Sequence, residues 1–318
     1  MRAAVVTSFG APPACQDIPV PAPRASGEAV VDVIAAGLHP RVRSQASGSH
    51  YTSTGELPLV PGIDGVCRAP DGTLRYVVLP DTTMGTMAEQ TVADLRRSVV
   101  LPEDSDPVLI AAAMNPAMSS WVALRRRASL SAGQSVLVLA ATGSAGRLAI
   151  QVARHLGAGR VIAAGRDPER LAGLPALGAD VTISLDGDLA ENARRIGAAA
   201  ADADVVLDYL WGPLSAAAMR AIAISRADPG QQLTWVEIGS VGGPEAAIPS
   251  AALRAVRLHI IGSGQGSVPA RDIVAELPAL AAEITAGTFR IDARAVPLAG
   301  VTAAWADAAS EQRIVIMP

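Results

Sequence analysis

A glycine-rich turn between a buried strand and a helix is the clearest chemical feature of this sequence. The apolar run Ser135–Ala140 has the composition of a strand buried on both faces. It leads into Ala-x-Gly-x-x-Gly and a helical pattern over Ser144–Leu156. Gly143 lets the backbone approach a pyrophosphate, Gly146 permits close packing of helix on strand, and the helix start favours an anion. A purely structural turn is the alternative, but the flanking strand and helix favour a dinucleotide site formed by Ala141, Thr142, Gly143, Ser144, Ala145 and Gly146.

The end of the next strand indicates which coenzyme binds there. An NAD site places Asp or Glu at this point for the ribose 2′-hydroxyl, whereas this chain has Gly165 followed by Arg166. A guanidinium can hold a 2′-phosphate with two parallel hydrogen bonds. Asp167 comes too late for the ribose and is expected to cap the next helix. The pattern favours NADP(H), with Arg166 as the phosphate ligand. Arg170 is a weaker second candidate and could equally be an ordinary surface arginine.

Composition excludes several classes of protein. The chain has 318 residues, a net charge of −4 and a hydrophobic share of 50%, which indicate a globular protein of about two domains with no nucleic-acid partner. All 26 basic residues are Arg, so lysine-based catalysis is impossible. Two cysteines cannot form a four-thiolate zinc site. We expect a cytoplasmic protein with no signal peptide and no membrane span, because the stretch Pro107–Leu124 is too short and too interrupted.

The elements that must position the turn alternate regularly after residue 133. The first hundred residues are β-rich, with short apolar runs such as Ala29–Ala35 and Arg75–Leu79 between Gly/Pro clusters. A helical pattern follows over Val108–Arg127. Alternation then predicts a doubly wound parallel sheet with helices on both faces. The further predicted strands of this sheet are Arg160–Ala164, Ala179–Ile183, Val205–Asp208, Leu233–Ile238 and Leu258–Ile261. The short strands Ala293–Pro297 and Arg313–Ile316 are expected to return to the first domain. The further predicted helices are Pro168–Leu177, Leu189–Ala200, Pro213–Ala223 and Ala270–Ala286.

Several segments in order resemble the medium-chain dehydrogenase/reductase superfamily, specifically its zinc-free quinone oxidoreductase (zeta-crystallin-like) branch. They are Met1–Val6, Gly27–Gly37, Pro61–Gly65, Gly85–Glu89, Leu156–Ala158 and Leu177–Asp180. The resemblance implies a GroES-like β-rich domain built from residues 1–115 and 270–318, and a Rossmann domain from 116–269 with NADP(H) in the cleft. It also implies a homodimer that pairs edge strands, here including Leu258–Ile261. Gly239 and Ser240 fall where the family approaches the coenzyme through its backbone.

The sequence departs from the zinc enzymes of this superfamily. Ile63 occupies the position of a histidine ligand and cannot bind a metal. Cys67 and His39 alone do not make a three-ligand catalytic site, so we predict no metal. His39 also replaces the Asn that quinone reductases usually have in Val-Asn-Pro-x-Asp, which leaves the substrate preference open.

Chemistry without zinc favours an acceptor that is already electrophilic. A quinone or an α,β-unsaturated carbonyl accepts hydride more readily than a plain ketone, and the charge that develops on its oxygen needs a hydrogen-bond donor. Tyr51, His39 and His50 are candidate donors, although each has an equally plausible role as an ordinary polar residue. Ser119 falls where the family has a Thr beside the nicotinamide, and Asn115 is expected to face the substrate.

The sequence therefore predicts an NADPH-dependent oxidoreductase acting on a small-molecule acceptor. Two rival hypotheses stay open. One is a reductase or dehydrogenase of a specialised carbonyl or imine that uses His39 as an acid. The other is a non-catalytic NADPH-binding protein that serves as a redox sensor or a structural protein.

Overall fold

A computed structural model describes residues 1–50, 52–307 and 312–318. The chain divides into two compact units, one made of Met1–Pro116 with Val274–Pro318 and the other of Ala117–Ile273. In chain order the strands are β1 (Arg2–Val5), β2 (Ala14–Asp17), β3 (Glu28–Gly37), β4 (Asp64–Arg68), β5 (Leu74–Val78), β6 (Gln90–Asp94), β7 (Ser98–Val100), β8 (Ser135–Leu139), β9 (Arg160–Gly165), β10 (Val181–Ser184), β11 (Val205–Asp208), β12 (Leu233–Glu237), β13 (Leu258–Gly262), β14 (Ala293–Pro297) and β15 (Arg313–Met317). The helices are α1 (Pro40–Ala46), α2 (Pro107–Val122), α3 (Ser144–His155), α4 (Pro168–Gly173), α5 (Leu189–Ala199), α6 (Gly212–Ser225), α7 (Ser250–Ala255), α8 (Ala270–Thr285) and α9 (Val301–Ala306).

The unit Ala117–Ile273 contains a parallel sheet of six strands in the order β10-β9-β8-β11-β12-β13. Every neighbouring pair in it is parallel, as the strand–helix alternation predicted. The strand order reverses at β8, which lies between β9 and β11, and ligands of such sheets bind at the carboxyl ends of the strands beside this point. Trp235 on β12 is fully buried and belongs to the hydrophobic core of this unit.

The other unit is built on a mostly antiparallel sheet in the order β14-β15-β3-β4-β5-β7, with β6 also pairing with β3. The carboxyl-terminal strand β15 lies antiparallel to β3, so the two ends of the chain share one sheet. Small and β-branched side chains fill its core, including Ala3, Val31 and Ile316. The predicted fold class, a Rossmann-type parallel sheet with a separate β-rich unit, is confirmed.

The helical segment that begins with α2 is longer than the apolar stretch considered in the sequence. The helical segment runs from Pro107 to Arg127, ending in a π-helical turn over Ala123–Arg127, and its 21 residues are long and apolar enough to cross a bilayer. Its length therefore does not exclude a membrane span, contrary to the expectation from sequence. However, 67% of its most apolar window is buried inside the protein, as in a core helix of a globular fold. No other such segment occurs in the part of the chain that the structure describes.

Two predicted elements end earlier than expected because of local backbone geometry. Strand β8 ends at Leu139, because Ala140 adopts the left-handed conformation with φ of +61°. The helix predicted over Pro168–Leu177 is broken, since α4 ends at Gly173 and a 3-10 turn covers Pro175–Leu177. Pro175 has no N–H to continue the α-helical hydrogen bonding, which explains the break.

Candidate functional site

The turn after β8 has the tight geometry that the glycine pattern predicted. A Cβ atom on Gly146 would lie 2.4 Å from the Ala140 carbonyl oxygen and 2.6 Å from the Ala141 Cα, so only glycine lets α3 approach the strand this closely. The Ala141 N–H donates to the Ala164 carbonyl on β9, at 2.8 Å. The turn is thereby held at the carboxyl end of the two central strands β8 and β9.

The start of α3 offers backbone donors to an anion. Gly143 is the N-cap residue and has no side chain that could accept a hydrogen bond from the first turn of the helix. The first N–H groups of a helix have no acceptor within the helix, and they carry the positive end of its dipole. Gly143 is exposed, Ser144 and Ala145 are half-buried, and a Cβ on Gly143 would have only the Ala140 carbonyl oxygen within 4 Å, at 3.6 Å. The turn therefore fits a phosphate group from the solvent side.

The end of β9 leaves no room for an acidic side chain. A Cβ on Gly165 would lie 2.5 Å from the Thr142 Cγ2, so an Asp or Glu here would have to displace the Thr142 side chain in the turn after β8. Arg166, the next residue, is exposed. Within the described ranges, no ion pair or hydrogen bond engages its guanidinium. A cation thus stands beside the turn where NAD-binding sheets carry a carboxylate.

The Asp167 side chain caps the N-terminus of α4. Its Oδ1 accepts hydrogen bonds from the backbone N–H groups of Glu169 and Arg170, each at 3.1 Å, as the predicted helix cap. Its Oδ2 lies 3.2 Å from the Arg170 Nε. Arg170 is therefore already engaged by a carboxylate, which makes Arg166 the better placed of the two arginines to meet a 2′-phosphate.

Two further loops lie on the same edge of the sheet, after β11 and β12. The Gly239 N–H donates to the Asp208 carbonyl at 3.2 Å, and Ser240 is exposed next to it. Because β9, β8, β11 and β12 are consecutive in the sheet, the predicted coenzyme residues that follow β8, β9 and β12 lie in one row along this edge. Arg170 lies outside this row, on α4.

The buried carboxylate of Asp208 organises this edge, a role that the sequence did not predict. Its Oδ1 accepts from the Leu210 and Trp211 N–H groups at 2.8 and 2.9 Å, and its Oδ2 accepts from the Trp235 Nε1 at 2.8 Å. Trp211 has a positive φ of +54°, which side chains other than glycine rarely adopt. The three hydrogen bonds compensate for burying the charge and fix the loop.

Ser119 lies beside this loop. Its Oγ is 2.8 Å from the hydroxyl oxygen of Tyr209, the residue after β11. Burial raises the pKa of Tyr209 to about 12, so the phenol stays protonated at neutral pH. Asn115 lies one turn earlier on α2 and is half-buried. The sequence pointed to Ser119 but gave no sign that Tyr209 would be its partner.

In the unit with both chain ends, His39 belongs to a buried polar cluster. The His39 Nε2 is 3.3 Å from the Asp64 Oδ1, and the Tyr76 hydroxyl donates to the Asp64 Oδ2 at 2.8 Å. His39, Asp64 and Tyr76 are only 2%, 2% and 1% exposed. Burial, followed by the negative charge of Asp64, raises the pKa of Tyr76 well above its usual range. The sequence singled out His39 but not its two partners, which reach it from β4 and β5.

The loop after α1 contains a second polar cluster. His50 Nδ1 is 2.9 Å from the Thr52 Oγ1, which donates to the Asp81 Oδ1 at 2.8 Å. Arg41 Nη2 donates to the same Asp81 oxygen at 2.6 Å. Burial, and then the charge of Arg41, lowers the pKa of His50. Tyr51, a predicted proton donor, lies outside the described residues.

The described residues do not group three or more His, Cys, Asp or Glu side chains so that they could hold a metal ion. Ile63 is buried in the core. Cys67 is also buried, and its apolar surroundings raise the pKa of its thiol far above the usual range, which disfavours the thiolate that binds metals.

Comparison with known proteins gives consistent matches. A domain family described as zinc-binding dehydrogenase matches residues 145–283. The chain is 31% identical to the probable NADPH-dependent quinone reductase tdiC of Emericella nidulans over the full length of both. It is 28% identical to the chloroplastic NADPH-dependent alkenal/one oxidoreductase of Arabidopsis thaliana, over 49% of this chain and 44% of the relative. The crystal structure of the quinone oxidoreductase from Thermus thermophilus, also solved with NADPH, superposes with a TM-score of 0.81 at 27% identity over the whole of both chains.

Proposed function

Because this chain belongs to the medium-chain dehydrogenase/reductase superfamily, in its quinone oxidoreductase-like branch, we propose that it is an NADPH-dependent oxidoreductase. We further propose that its acceptors are quinones or other activated, α,β-unsaturated carbonyl compounds. The row of residues at the carboxyl edge of the parallel sheet carries the first part of this proposal. The names of its relatives support the second part.

The residues at this edge fit NADP(H) in charge and shape. The helix start at Gly143–Gly146 would hold the pyrophosphate, and Arg166 would hold the 2′-phosphate beside the side-chain-free Gly165. The backbone after β12, at Gly239 and Ser240, would lie along the remainder of the coenzyme. When bound, reduced NADP supplies a hydride. The single observation that favours NADP(H) over NAD(H) is that a Cβ at Gly165 would lie 2.5 Å from Thr142 Cγ2, next to a cation with no partner among the described residues.

The proposed class of acceptor follows from the side chains that could bind a metal or donate hydrogen bonds. A Lewis acid makes an isolated ketone a better hydride acceptor by polarising its oxygen. We propose that this protein works without one, because Ile63 offers no ligand atom and Cys67 is a buried, protonated thiol. An acceptor whose double bond is already conjugated to a carbonyl needs only hydrogen-bond donors where negative charge develops. Ser119, Asn115 and His39 are the proposed polar residues for the nicotinamide and the acceptor.

A stopped-flow screen of acceptors with NADPH and NADH in parallel tests the proposal. We expect rapid NADPH oxidation by benzoquinones or enones, slower oxidation of NADH, and no loss of rate after dialysis against a chelator. Turnover of simple ketones but not of quinones or enones would favour the alternative of a carbonyl or imine reductase, which the His39–Asp64 contact makes worth testing. Coenzyme binding without turnover of any acceptor would contradict the proposal and favour a binding protein.

We also propose a homodimer that pairs β13 of two copies, because β13 is the edge strand of the parallel sheet and pairs only with β12 in the described chain. Sedimentation equilibrium measures the mass of the protein in solution and should give that of two chains. A Pro substitution at Ile260 should give monomers if this edge forms the interface, since Pro removes a backbone donor from the strand. A monomeric wild-type protein would contradict the proposal.

A further inference from the structure

We propose that Tyr209 is a positioning residue for the coenzyme, whose hydroxyl holds Ser119 in the orientation in which Ser119 binds the nicotinamide carboxamide. The inference rests on the proposed function and adds to it a residue that acts through Ser119. It is carried by a contact inside the unit Ala117–Ile273, the 2.8 Å hydrogen bond between the Ser119 Oγ and the Tyr209 hydroxyl oxygen.

The order of the strands shows which part of the sheet edge the nicotinamide half would occupy. Arg166, the proposed ligand of the 2′-phosphate, follows β9, and the proposed pyrophosphate turn follows β8. The sheet continues from β8 to β11 and then to β12, with neighbouring strands about 4.8 Å apart. The part of the edge that remains for the nicotinamide half is therefore formed by the ends of β11 and β12. Tyr209 is the first residue after β11, so it lies at this part of the edge.

The backbone of Tyr209 is fixed by hydrogen bonds on both sides. The carboxylate of Asp208, the residue before it, accepts from the N–H groups of Leu210 and Trp211 and so closes a turn around Tyr209. The Tyr209 carbonyl accepts from the Val241 N–H, in the loop after β12, at 3.4 Å. The ring of Tyr209 therefore starts from a backbone that two loops hold in place.

The phenol of Tyr209 is a neutral and well-anchored hydrogen-bonding group. The residue is 9% exposed, and burial raises its pKa to about 12, so the hydroxyl keeps its proton at neutral pH. Ser120, the neighbour of Ser119 on α2, also interacts with this hydroxyl. Two consecutive serines of one helix thus hold the phenol oxygen, which adds no charge to the edge of the sheet.

Of the two serines, Ser119 is the one that can reach a ligand. It is half-buried, whereas Ser120 is fully buried and donates to the Ala117 carbonyl at 3.1 Å. A serine hydroxyl has one donor site and two acceptor sites, and the bond to Tyr209 uses one of these three. A carboxamide offers both a carbonyl acceptor and an NH₂ donor. It can therefore bind Ser119 whichever of the two hydroxyls donates in the Ser119–Tyr209 bond.

The bond to Tyr209 would restrict the Ser119 side chain before the coenzyme binds. Serine side chains otherwise turn among three staggered rotamers. A side chain that is already held in its binding orientation loses less entropy when the ligand arrives. A carboxamide held by a fixed hydroxyl is also better oriented for reaction. Tyr209 would thus contribute to the affinity for NADPH and to the rate of hydride transfer.

Two ligands that share only the adenosine half of the coenzyme test the proposal. NADPH carries the nicotinamide, whereas 2′,5′-ADP has the adenosine and the 2′-phosphate without it. In titration calorimetry we expect Tyr209→Phe to bind NADPH about 3- to 10-fold more weakly, the usual effect of losing one neutral hydrogen bond, and 2′,5′-ADP within about twofold of the wild type. Arg166→Ala is the matched control, because it should weaken the binding of both ligands by similar factors.

Substitutions of Ser119 test whether Tyr209 acts through it. Ser119→Ala should show the same selective loss for NADPH, and adding Tyr209→Phe to it should cause no further loss, since coupled residues are not additive. Ser119→Thr keeps a hydroxyl and should bind NADPH nearly as well as the wild type does. The fluorescence of bound NADPH comes from the nicotinamide, so its intensity should change in Tyr209→Phe and Ser119→Ala but not in Arg166→Ala.

Thermal unfolding shows whether each variant is folded at the temperature of the titrations. If Tyr209→Phe does not fold, the comparison of Ser119→Ala with Ser119→Thr carries the test. In that case, equal affinity for NADPH in these two variants would overturn the proposal, because it requires the hydroxyl.

The remaining outcomes separate this inference from the proposed function. Equal losses for NADPH and 2′,5′-ADP in Tyr209→Phe would mean that Tyr209 has only a structural role, and unchanged binding of both would mean that it has none at this site. Losses in Tyr209→Phe and Ser119→Ala that add in the double variant would show that Tyr209 does not act through Ser119. Each of these results would overturn the inference while the wild type still binds and oxidises NADPH. A wild-type protein that binds neither ligand would overturn the proposed function, and this inference with it.

Discussion

At the residue scale, we propose that Arg166 sets the preference for NADPH over NADH. Its exposed guanidinium follows Gly165, and Arg170 is already engaged by Asp167. We expect Arg166→Ala to weaken NADPH binding by about 10- to 100-fold, because a hydrogen bond to a charged group contributes about 1.5–3 kcal/mol. NADH binding should hardly change. Titration calorimetry with both coenzymes measures this, with Arg170→Ala as the matched control. Equal losses for both coenzymes in Arg166→Ala would refute the assignment.

The neighbouring Gly165 allows a test in the opposite direction. An Asp here would carry the carboxylate of an NAD site, but its Cβ would lie 2.5 Å from Thr142 Cγ2. We expect Gly165→Asp to be destabilised by about 1–3 kcal/mol, the usual cost of overpacking, and to bind both coenzymes poorly. Adding Thr142→Ala removes the clashing methyl group. The double variant should regain stability in urea unfolding and bind NADH in preference to NADPH. If Gly165→Asp alone is as stable as the wild type, the space between Gly165 and Thr142 does not limit the side chain at this position.

Residues with a local sequence pattern could be identified as site candidates, but their partners distant in the chain could not. Gly143, Gly146 and Arg166 were identified because their roles depend on neighbours in the chain. Asp64 and Tyr76 could not be assigned to His39, because they are 25 and 37 positions away and meet it only through the pairing of β3, β4 and β5. Tyr209 was likewise unpredictable as the partner of Ser119, 90 positions apart.

At the scale of elements, the two glycines of the turn have separable roles. A Cβ on Gly146 would clash with backbone atoms of Ala140 and Ala141, whereas one on Gly143 would have a single neighbour at 3.6 Å. Gly146→Ala should therefore lower the free energy of unfolding by about 1–3 kcal/mol. Gly143→Ala should lower the free energy of unfolding by less, only a few tenths of a kcal/mol, because it changes a helix N-cap residue and creates no clash. Urea unfolding measures both.

The same pair predicts different effects on binding. Gly143→Ala should bind NADPH more weakly while keeping its fold, because the added methyl group would occupy space that we propose for the pyrophosphate. Calorimetry on the folded variant checks this. Unchanged affinity in Gly143→Ala would contradict the placement of the phosphate at this turn.

Elements were predicted well where one local pattern determined them. The buried strands β8 and β11 and the amphipathic helix α3 follow from apolar runs and caps. The break after α4 follows from Pro175, a signal present in the sequence but overlooked. The π-helical end of α2, in which Ala123 and Leu124 are buried, has no such local signal in the sequence.

For the whole molecule, buried neutral groups predict sensitivity to alkali. Burial raises the pKa values of Tyr209 to about 12, and of Tyr76 and Cys67 above their usual ranges. In the unfolded chain these groups lose their protons at lower pH, so the unfolded state binds fewer protons and stability falls as pH rises. Tyr209 alone should contribute a loss of about 3 kcal/mol between pH of about 10 and 12.

Urea unfolding at pH values from about 7 to 11 measures this dependence. Tyr209→Phe should be less stable at neutral pH, because Ser119 loses this partner, but its stability should fall less steeply above pH of about 10. The remaining slope should come from Tyr76 and Cys67. Identical slopes in the variant and the wild type would show that Tyr209 does not stay protonated in the folded state.

The pairing of β15 with β3 has a consequence for how the protein is made. The residues of Ala117–Ile273 are contiguous, so this unit can acquire its structure while synthesis continues. The other unit needs its last strand, and with it Arg313, before its sheet is complete. In a nascent polypeptide, β3 must therefore remain without this neighbour until Arg313–Met317 has been synthesised. A chain cut before β15 would contain the whole of Ala117–Ile273 but would leave the sheet of the other unit without the strand between β14 and β3.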